Sequence, residues 1–153
     1  MIRCALLCFG VIGPVFADDM HAFRVDLLDA CLAAGGDAQC IGVGATACLQ
    51  GAGSGAAGIC LGEENAYWTS RIAVAEDALR IRQDEVLDRA AQRGMPAPSL
   101  DEIARSFATY RDAACTWRAA QWPGMHTGPE EMDCLMRLTA QHALWLDARV
   151  GDL

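Results

Sequence analysis

The sequence contains no lysine, and all twelve of its basic residues are arginine. They stand against twenty Asp and Glu residues, so the formal charge of the 153-residue chain is −8. Nucleic-acid-binding proteins are typically basic, and the acidic balance disfavours that class of function. A charge of this size keeps an exported protein soluble, and it also attracts a strongly basic partner.

Long apolar runs are lacking as well, except at the start of the chain. Arg3, an apolar run from Cys4 to Val15 and a small-residue exit ending at Ala17 have the layout of a secretory signal peptide. The run is shorter than the roughly 20 residues that a membrane span needs. We therefore predict a signal peptide at residues 1–17 and no membrane span after its cleavage.

The remaining 136 residues, 18–153, have the length of one ordinary domain. Loss of Arg3 leaves eleven arginines against twenty acids, a formal charge of −9. A lipid anchor requires a cysteine at the cleavage point, and Cys4 and Cys8 lie too close to the start. We expect a periplasmic or secreted protein with a single helical domain.

The cysteines lack the C-x-x-C pairs and the spacings that are typical of zinc sites. Eight are present, and two of them belong to the signal peptide. An even number in an exported chain predicts three disulfides. Six cysteines permit 15 pairings, and the sequence does not choose among them. Nearest neighbours are the simplest hypothesis: Cys31 with Cys40, Cys48 with Cys60, and Cys115 with Cys134.

A catalytic motif is missing too. A Ser or Cys nucleophile needs a base beside it, and none of the histidines, His21, His126 and His142, lies in a recognisable catalytic arrangement. The neighbouring acids Glu63 and Glu64 point in different directions on a helix, so they do not form a glycosidase pair. We predict no catalytic residues and no cofactor, and a protein that acts by binding.

A copper site can be imagined from thioether and imidazole ligands on Met125, His126, Met132 and Met136. Methionines at helical spacing are more often core residues. We therefore predict no metal site.

The periodicity of apolar residues indicates an all-α protein. A first helix is predicted at about 19–34, and a short helical piece at 40–49. The glycine-rich run 51–58 lacks the Lys-Ser/Thr ending of a phosphate-binding loop and is interpreted as a flexible loop. The stretch 60–93 has no Pro, and no Gly after Gly62, so it is predicted as the longest helix.

Two further helices follow the break at residues 94–98. Ser99 and Glu102 form the Ser-x-x-Glu pattern of a capping box, which opens a third long helix. Pro129 can occupy the first turn of a final helix, with Thr127 or Gly128 as its cap. Together these elements predict a small antiparallel helical bundle with one long helix, joined by three disulfides.

The triplet Tyr110-Arg111-Asp112 places an ion pair on a helix that is otherwise lined with apolar residues. One interpretation is a recognition point for a partner protein. The alternative, which we favour, is an internal clamp that holds this helix to a neighbour, with Glu64 as the candidate partner.

The segment from Cys48 to Leu146 resembles the LprI-type lysozyme-inhibitor domain of bacterial envelope proteins. The resemblance is carried by Cys48 and Cys60, by Phe107-Ala-Thr-Tyr-Arg-Asp-Ala-Ala-Cys115, and by Cys134-Leu-Met-Arg-Leu-Thr139. Phe107 stands where many members have Trp. The resemblance implies a helical, disulfide-bonded envelope domain, and one branch of that family is associated with inhibition of lysozyme.

We therefore expect an exported binding module that contacts a protein partner through surface acids and exposed aromatics such as Trp122, with inhibition of a basic c-type lysozyme as its candidate role. Loops are the expected place for recognition. The alternative is a structural or assembly partner of another envelope protein, with no inhibitory role.

Overall fold

The structure, a computed structural model, describes residues 23–152. Within that range the chain forms helices and no strands, as the periodicity predicts. The six α-helices are α1 (Val25–Ala33), α2 (Val43–Ala52), α3 (Ala57–Arg80), α4 (Gln83–Gln92), α5 (Leu100–Ala119) and α6 (Thr127–Gly151). The predicted signal peptide lies outside the described residues.

Helices α3 and α6 form the centre of the bundle, and the others pack around them. Helices α2 and α3 are joined near their turn by Cys48–Cys60, and α5 and α6 by Cys115–Cys134, so each of these two pairs runs antiparallel. Helices α3 and α6 run parallel, because Leu61 lies near Met136 while Leu79, further along α3, lies near Trp145. The antiparallel arrangement predicted from the sequence thus holds for those two pairs and not for the central pair.

The core lies between α1, α2, α3 and α6. Trp68 is fully buried, as are Leu28 of α1 and Met136 and Leu146 of α6. Alanines on the inner face of α6, Ala140 and Ala143, are also fully buried, and small side chains let a neighbouring helix approach closely. These residues form the buried face of α6.

The three disulfides join nearest neighbours along the chain, which confirms the simplest of the 15 pairings. Cys31–Cys40 holds the end of α1 to the short 3₁₀ turn Asp37–Cys40. Cys48–Cys60 joins α2 to α3, and Cys115–Cys134 joins α5 to α6. Five of the six cysteines are at most 8 % exposed, so most of the sulfur surface belongs to the packed interior.

A polar network outside the core links α1, α3 and α6. The Tyr67 hydroxyl donates a 2.6 Å hydrogen bond to Asp29, and burial raises the pKa of Tyr67 above its ordinary value. Arg71, one helical turn further on, donates to Asp147 at 2.7 Å. Because Arg71 also reaches the Tyr67 hydroxyl at 3.3 Å, the three helices share one set of hydrogen bonds.

The predicted longest helix, 60–93, is wrong in its extent, since the chain divides there into α3 and α4. The longest helix is α6, with 25 residues against 24 in α3. Neither Gly nor Pro marks the break at Ile81 and Arg82, so no local signal predicts it. The break lets the Gln83 side chain accept a 2.8 Å hydrogen bond from the Leu100 backbone at the start of α5.

The glycine-rich run 51–58 is more ordered than the predicted flexible loop. Helix α2 continues through Gly51 to Ala52, and a 3₁₀ turn at Ser54–Ala56 leads directly into α3. Gly53 has φ +80°, a backbone conformation that side chains disfavour, so the reversal depends on glycine at this position. The Cys48–Cys60 bond closes the turn, as expected.

The other helix ends agree with the sequence to within a few residues. Ser99 caps α5, and both halves of the capping box with Glu102 are present. Helix α6 begins at Thr127, so Pro129 lies in its first turn, with His126 rather than Thr127 or Gly128 at the cap position. Helix α1 is the exception: it begins at Val25, later than the predicted start at about residue 19, because residues 23 and 24 are not helical. Among residues 23–152, no helix combines the length and the apolar character that crossing a membrane requires.

Candidate functional site

Glu64 is fully buried and caps a neighbouring helix. Its Oε1 accepts hydrogen bonds from the Gly42 backbone at 2.6 Å and from the Trp68 indole at 3.0 Å, and its Oε2 accepts one from the Ala45 backbone at 2.7 Å. Gly42 and Ala45 belong to the first turn of α2, where backbone N–H groups lack partners within the helix. A carboxylate there also interacts favourably with the helix dipole.

Arg111 and Asp112 lie on α5 and pair with each other. The Arg111 guanidinium donates to Asp112 at 2.8 Å and lies 5.6 Å from the centre of the Phe107 ring. The Asp112 side chain is 61 % exposed, against 25 % for Arg111. The structure does not bring Arg111 to Glu64, whose hydrogen bonds come from α2 and Trp68. The predicted role of Glu64 as the partner of Arg111 is therefore corrected: its carboxylate holds α2 against α3.

Three stacked rings fill the space between α5 and α6, an arrangement that the sequence analysis missed. Phe107 stacks on His142 at 4.0 Å, and His142 stacks on Trp145 at 5.8 Å, with ring planes within 11°. Arg149 lies 5.6 Å over Trp145 at one end, and Arg111 lies over Phe107 at the other. The spacing of His142, Trp145 and Arg149 on one face of α6 is the sequence signal that could have indicated it.

His142, the middle ring of this column, is half-buried. Burial lowers its pKa below the ordinary value of 6.5. Its Nε2 is buried and has no hydrogen-bond partner in the described part of the chain. The neutral imidazole therefore acts as an aromatic spacer between two helices, which is a packing role.

Other large side chains of α5 and of the loop that follows it are exposed. Tyr110 is 62 % exposed and Trp117 is 74 % exposed. They are seven residues apart on α5, which places them on the same face about 10 Å from each other. Trp122 and Met125 follow in the loop, 45 % and 87 % exposed. We refer to Tyr110, Trp117, Trp122 and Met125 as the aromatic surface.

The aromatic surface is held on a rigid base. Cys115, between Tyr110 and Trp117 on α5, is bonded to Cys134 of α6. Arg118 also donates to Glu130 at 2.9 Å and to Asp133 at 3.2 Å, both on α6. The Thr127 hydroxyl donates to the Trp122 carbonyl at 2.9 Å, which fixes the loop to the start of α6. Large apolar side chains that stay exposed on a fixed frame are typical of a surface that binds another protein.

No group of three or more His, Cys, Asp or Glu side chains between residues 23 and 152 is arranged to hold a metal ion. The candidate copper ligands also differ in burial, because Met136 is fully buried in the core while Met125 is 87 % exposed.

These features define a class: a helical, disulfide-bonded domain with a buried carboxylate cap and an exposed aromatic surface. The family model of the lysozyme inhibitor LprI matches residues 48–146, which is well over half of the chain. The chain therefore belongs to the LprI lysozyme-inhibitor family, as the cysteines and the Tyr-Arg-Asp helix indicated. The matched residues include two of the three disulfides and the whole aromatic surface. No curated protein and no solved structure matches the chain.

Proposed function

We propose that the protein is an exported binding module of the bacterial envelope that inhibits a basic c-type lysozyme. The observation that carries the proposal is membership of the LprI lysozyme-inhibitor family over residues 48–146. The predicted signal peptide at 1–17 and the three disulfides support export, since disulfides persist in oxidising compartments.

Charge supports the choice of a basic partner. The chain from residue 18 onward has a formal charge of −9. Such a charge accelerates encounter with a basic enzyme, and the acceleration falls as salt rises. Steering of this kind acts on any basic protein, so contacts at short range must provide the specificity.

The aromatic surface is the best candidate for those contacts. Exposed Trp and Tyr side chains dominate the binding energy of protein interfaces because they bury a large area with few rotatable bonds. Trp117 projects from α5 next to the Cys115–Cys134 bond, so little conformational entropy is lost when a partner covers it. Asp112, exposed on the same helix, supplies a negative charge for a basic partner.

The experiment is calorimetric titration of oxidised residues 18–153 into a c-type lysozyme at low and at physiological salt, with lysozyme activity measured in parallel. Trp117→Ala is expected to weaken binding by about 2 kcal/mol, a roughly thirtyfold loss. Val74→Ala is the matched control, because Val74 is exposed to almost the same degree, 72 % against 74 %, on a different helix.

The outcomes separate specific inhibition from charge attraction. Binding at physiological salt with loss of lysozyme activity, sensitive to Trp117→Ala only, supports the proposal. The proposal is rejected if the heat of binding disappears at physiological salt, or if lysozyme stays fully active when the protein is in excess.

A second candidate function is that of a structural or assembly partner of another envelope protein. Val74 on α3 and Ile81 directly after its end favour it, because these apolar side chains are 72 % and 86 % exposed. Apolar packing is less sensitive to salt than charge steering. This alternative is favoured if an envelope protein crosslinks to the chain at high salt and no longer does so in Val74→Asp. Lysozyme should then remain active in the presence of the protein.

A further inference from the structure

An apolar groove opens where α4 crosses the start of α5 and the end of α6. It has a volume of about 330 Å³, within the range of roughly 300–1,000 Å³ that is typical of small-molecule sites. Its walls are mainly apolar side chains from four helices: Leu79, Val86, Leu87, Leu100, Ile103 and Trp145. The break between α3 and α4 creates the groove, because it turns Val86 and Leu87 toward α5.

The charged side chains that line the groove are mostly basic, whereas the chain as a whole is acidic. Among residues 23–152, Arg82, Arg89 and Arg149 line the groove, together with one acid, Asp152. The whole chain has twelve arginines against twenty acids. An apolar groove with a basic rim on an acidic protein fits a ligand that has an apolar chain and an anionic head.

The arginines of the rim have acidic partners of their own. Arg82 and Arg89 both pair with the single carboxylate of Glu85, and Arg82 holds the pKa of Glu85 below its ordinary value. Arg149 pairs with Asp152 at 3.2 Å, and the two side chains are 50 % and 68 % exposed. Exposed ion pairs of this kind contribute little and exchange partners readily, so a ligand carboxylate can compete for the guanidinium groups.

Trp145 connects the head and the chain of such a ligand. Its ring lines the groove and is 43 % exposed, while Arg149 lies over it at 5.6 Å. An anionic head bound to Arg149 therefore brings the first methylene groups of its chain onto the indole. His142 and Phe107 support the indole from behind and fix its orientation.

We infer that the groove between α4, α5 and α6 binds a free single-chain anionic amphiphile of medium length, with its chain along Leu87, Ile103 and Trp145 and its head at Arg149. This site is separate from the aromatic surface, and its occupancy does not depend on lysozyme binding.

The test is calorimetric titration of oxidised residues 18–153 with sodium dodecanoate below its micellar concentration, at physiological salt. Three further probes isolate the two halves of the ligand: dodecyl maltoside has the chain without charge, dodecyltrimethylammonium reverses the charge, and butyrate keeps the head but shortens the chain. We expect saturable one-to-one binding of dodecanoate, and binding at least about tenfold weaker for the other three.

The cationic probe is the most decisive of these ligands. The net charge of −9 favours dodecyltrimethylammonium over dodecanoate everywhere except at a basic site. Equal or tighter binding of the cationic or the neutral probe overturns the proposal, as does the absence of saturable dodecanoate binding. Dodecanoate bound only within phosphatidylglycerol vesicles, and not free in solution, also overturns it.

A matched pair of variants tests the basic rim. Arg149→Gln is expected to weaken dodecanoate binding about tenfold. Arg137→Gln is the control, since Arg137 lies on the same helix, also pairs with one acid, and is equally exposed at 51 % against 50 %, but does not line the groove. Equal affinities of the two variants overturn the proposal. Lysozyme inhibition measured on both variants shows whether the two activities fail separately.

Discussion

The N-terminal helices α1 to α3 and the pair α4 and α5 use their apolar residues differently. Leu28 and Trp68 are fully buried in the first region, and two of the three disulfides lie there. Helix α4 has no buried residue, and α5 has only two, Cys115 and Ala119. The buried contacts that stabilise the protein are therefore concentrated in α1 to α3 and α6. Helices α4 and α5 leave apolar side chains exposed, and these contribute to the aromatic surface and the groove.

The largest expected effect comes from removing the bond that joins the second region to α6. Cys115→Ala with Cys134→Ala should lower the free energy of unfolding by about 3 kcal/mol, because the bond closes a loop between positions separated by 19 residues. If α4 and α5 open independently, hydrogen exchange should accelerate in α5 and remain slow in α3.

The control for that prediction is the double variant Cys31→Ala with Cys40→Ala. It removes a bond that closes a shorter loop in the first region, with a sequence separation of 9. Equal acceleration in α3 and α5 upon loss of Cys115–Cys134 would show that the two regions unfold as one unit.

The next effect concerns the buried carboxylate of the first region. Glu64→Gln should destabilise the protein by about 2 kcal/mol, since an amide presents an N–H group where two backbone N–H groups and one indole N–H need acceptors. Glu63→Gln removes the same charge from an exposed position and should change stability by less than about 0.5 kcal/mol. Chemical denaturation measures both, and similar values for the two variants would contradict the capping role.

The smallest effect is a pH dependence at the boundary between the regions. Burial lowers the pKa of His142 below 6.5, so the unfolded chain binds a proton more readily than the folded protein does. The contribution of the neutral ring to the free energy of unfolding is complete above pH 6.5. It is lost as the pH falls from 6.5 toward the lower pKa of the folded state.

His142→Phe keeps a stacking ring without a titrating group. The unfolding temperature should therefore fall less steeply between pH 7 and pH 5 in this variant than in the wild type. A steeper slope in His142→Phe would reverse the assignment of sign.

The sequence predicted those parts of the fold that have local causes. The capping box at Ser99 and Glu102 depends on neighbours within one turn, and it is present. The disulfide pairing agrees with the nearest-neighbour hypothesis. The break at Ile81 has no local signal, and the hydrogen bond that Gln83 makes beside it comes from a residue 17 positions away on α5.

The candidate site was predicted less completely, for the same reason. Trp122 was recognised as an exposed loop aromatic, and it is 45 % exposed. Glu64 was recognised as a residue that needs a partner, but its partners are backbone groups of α2, which no pattern of charged residues reveals. The groove consists of side chains from four helices and exists only once those helices pack.

The order of the disulfides has a consequence for how the protein matures. Each bond joins a cysteine to the next one along the chain, so no bond has to wait for a cysteine beyond its immediate successor. Under the proposed export, a chain that emerges N-terminus first can be oxidised in order of appearance, and an oxidase that joins successive thiols produces the native set. We therefore expect the native disulfides to form when an oxidase is present and a disulfide isomerase is absent.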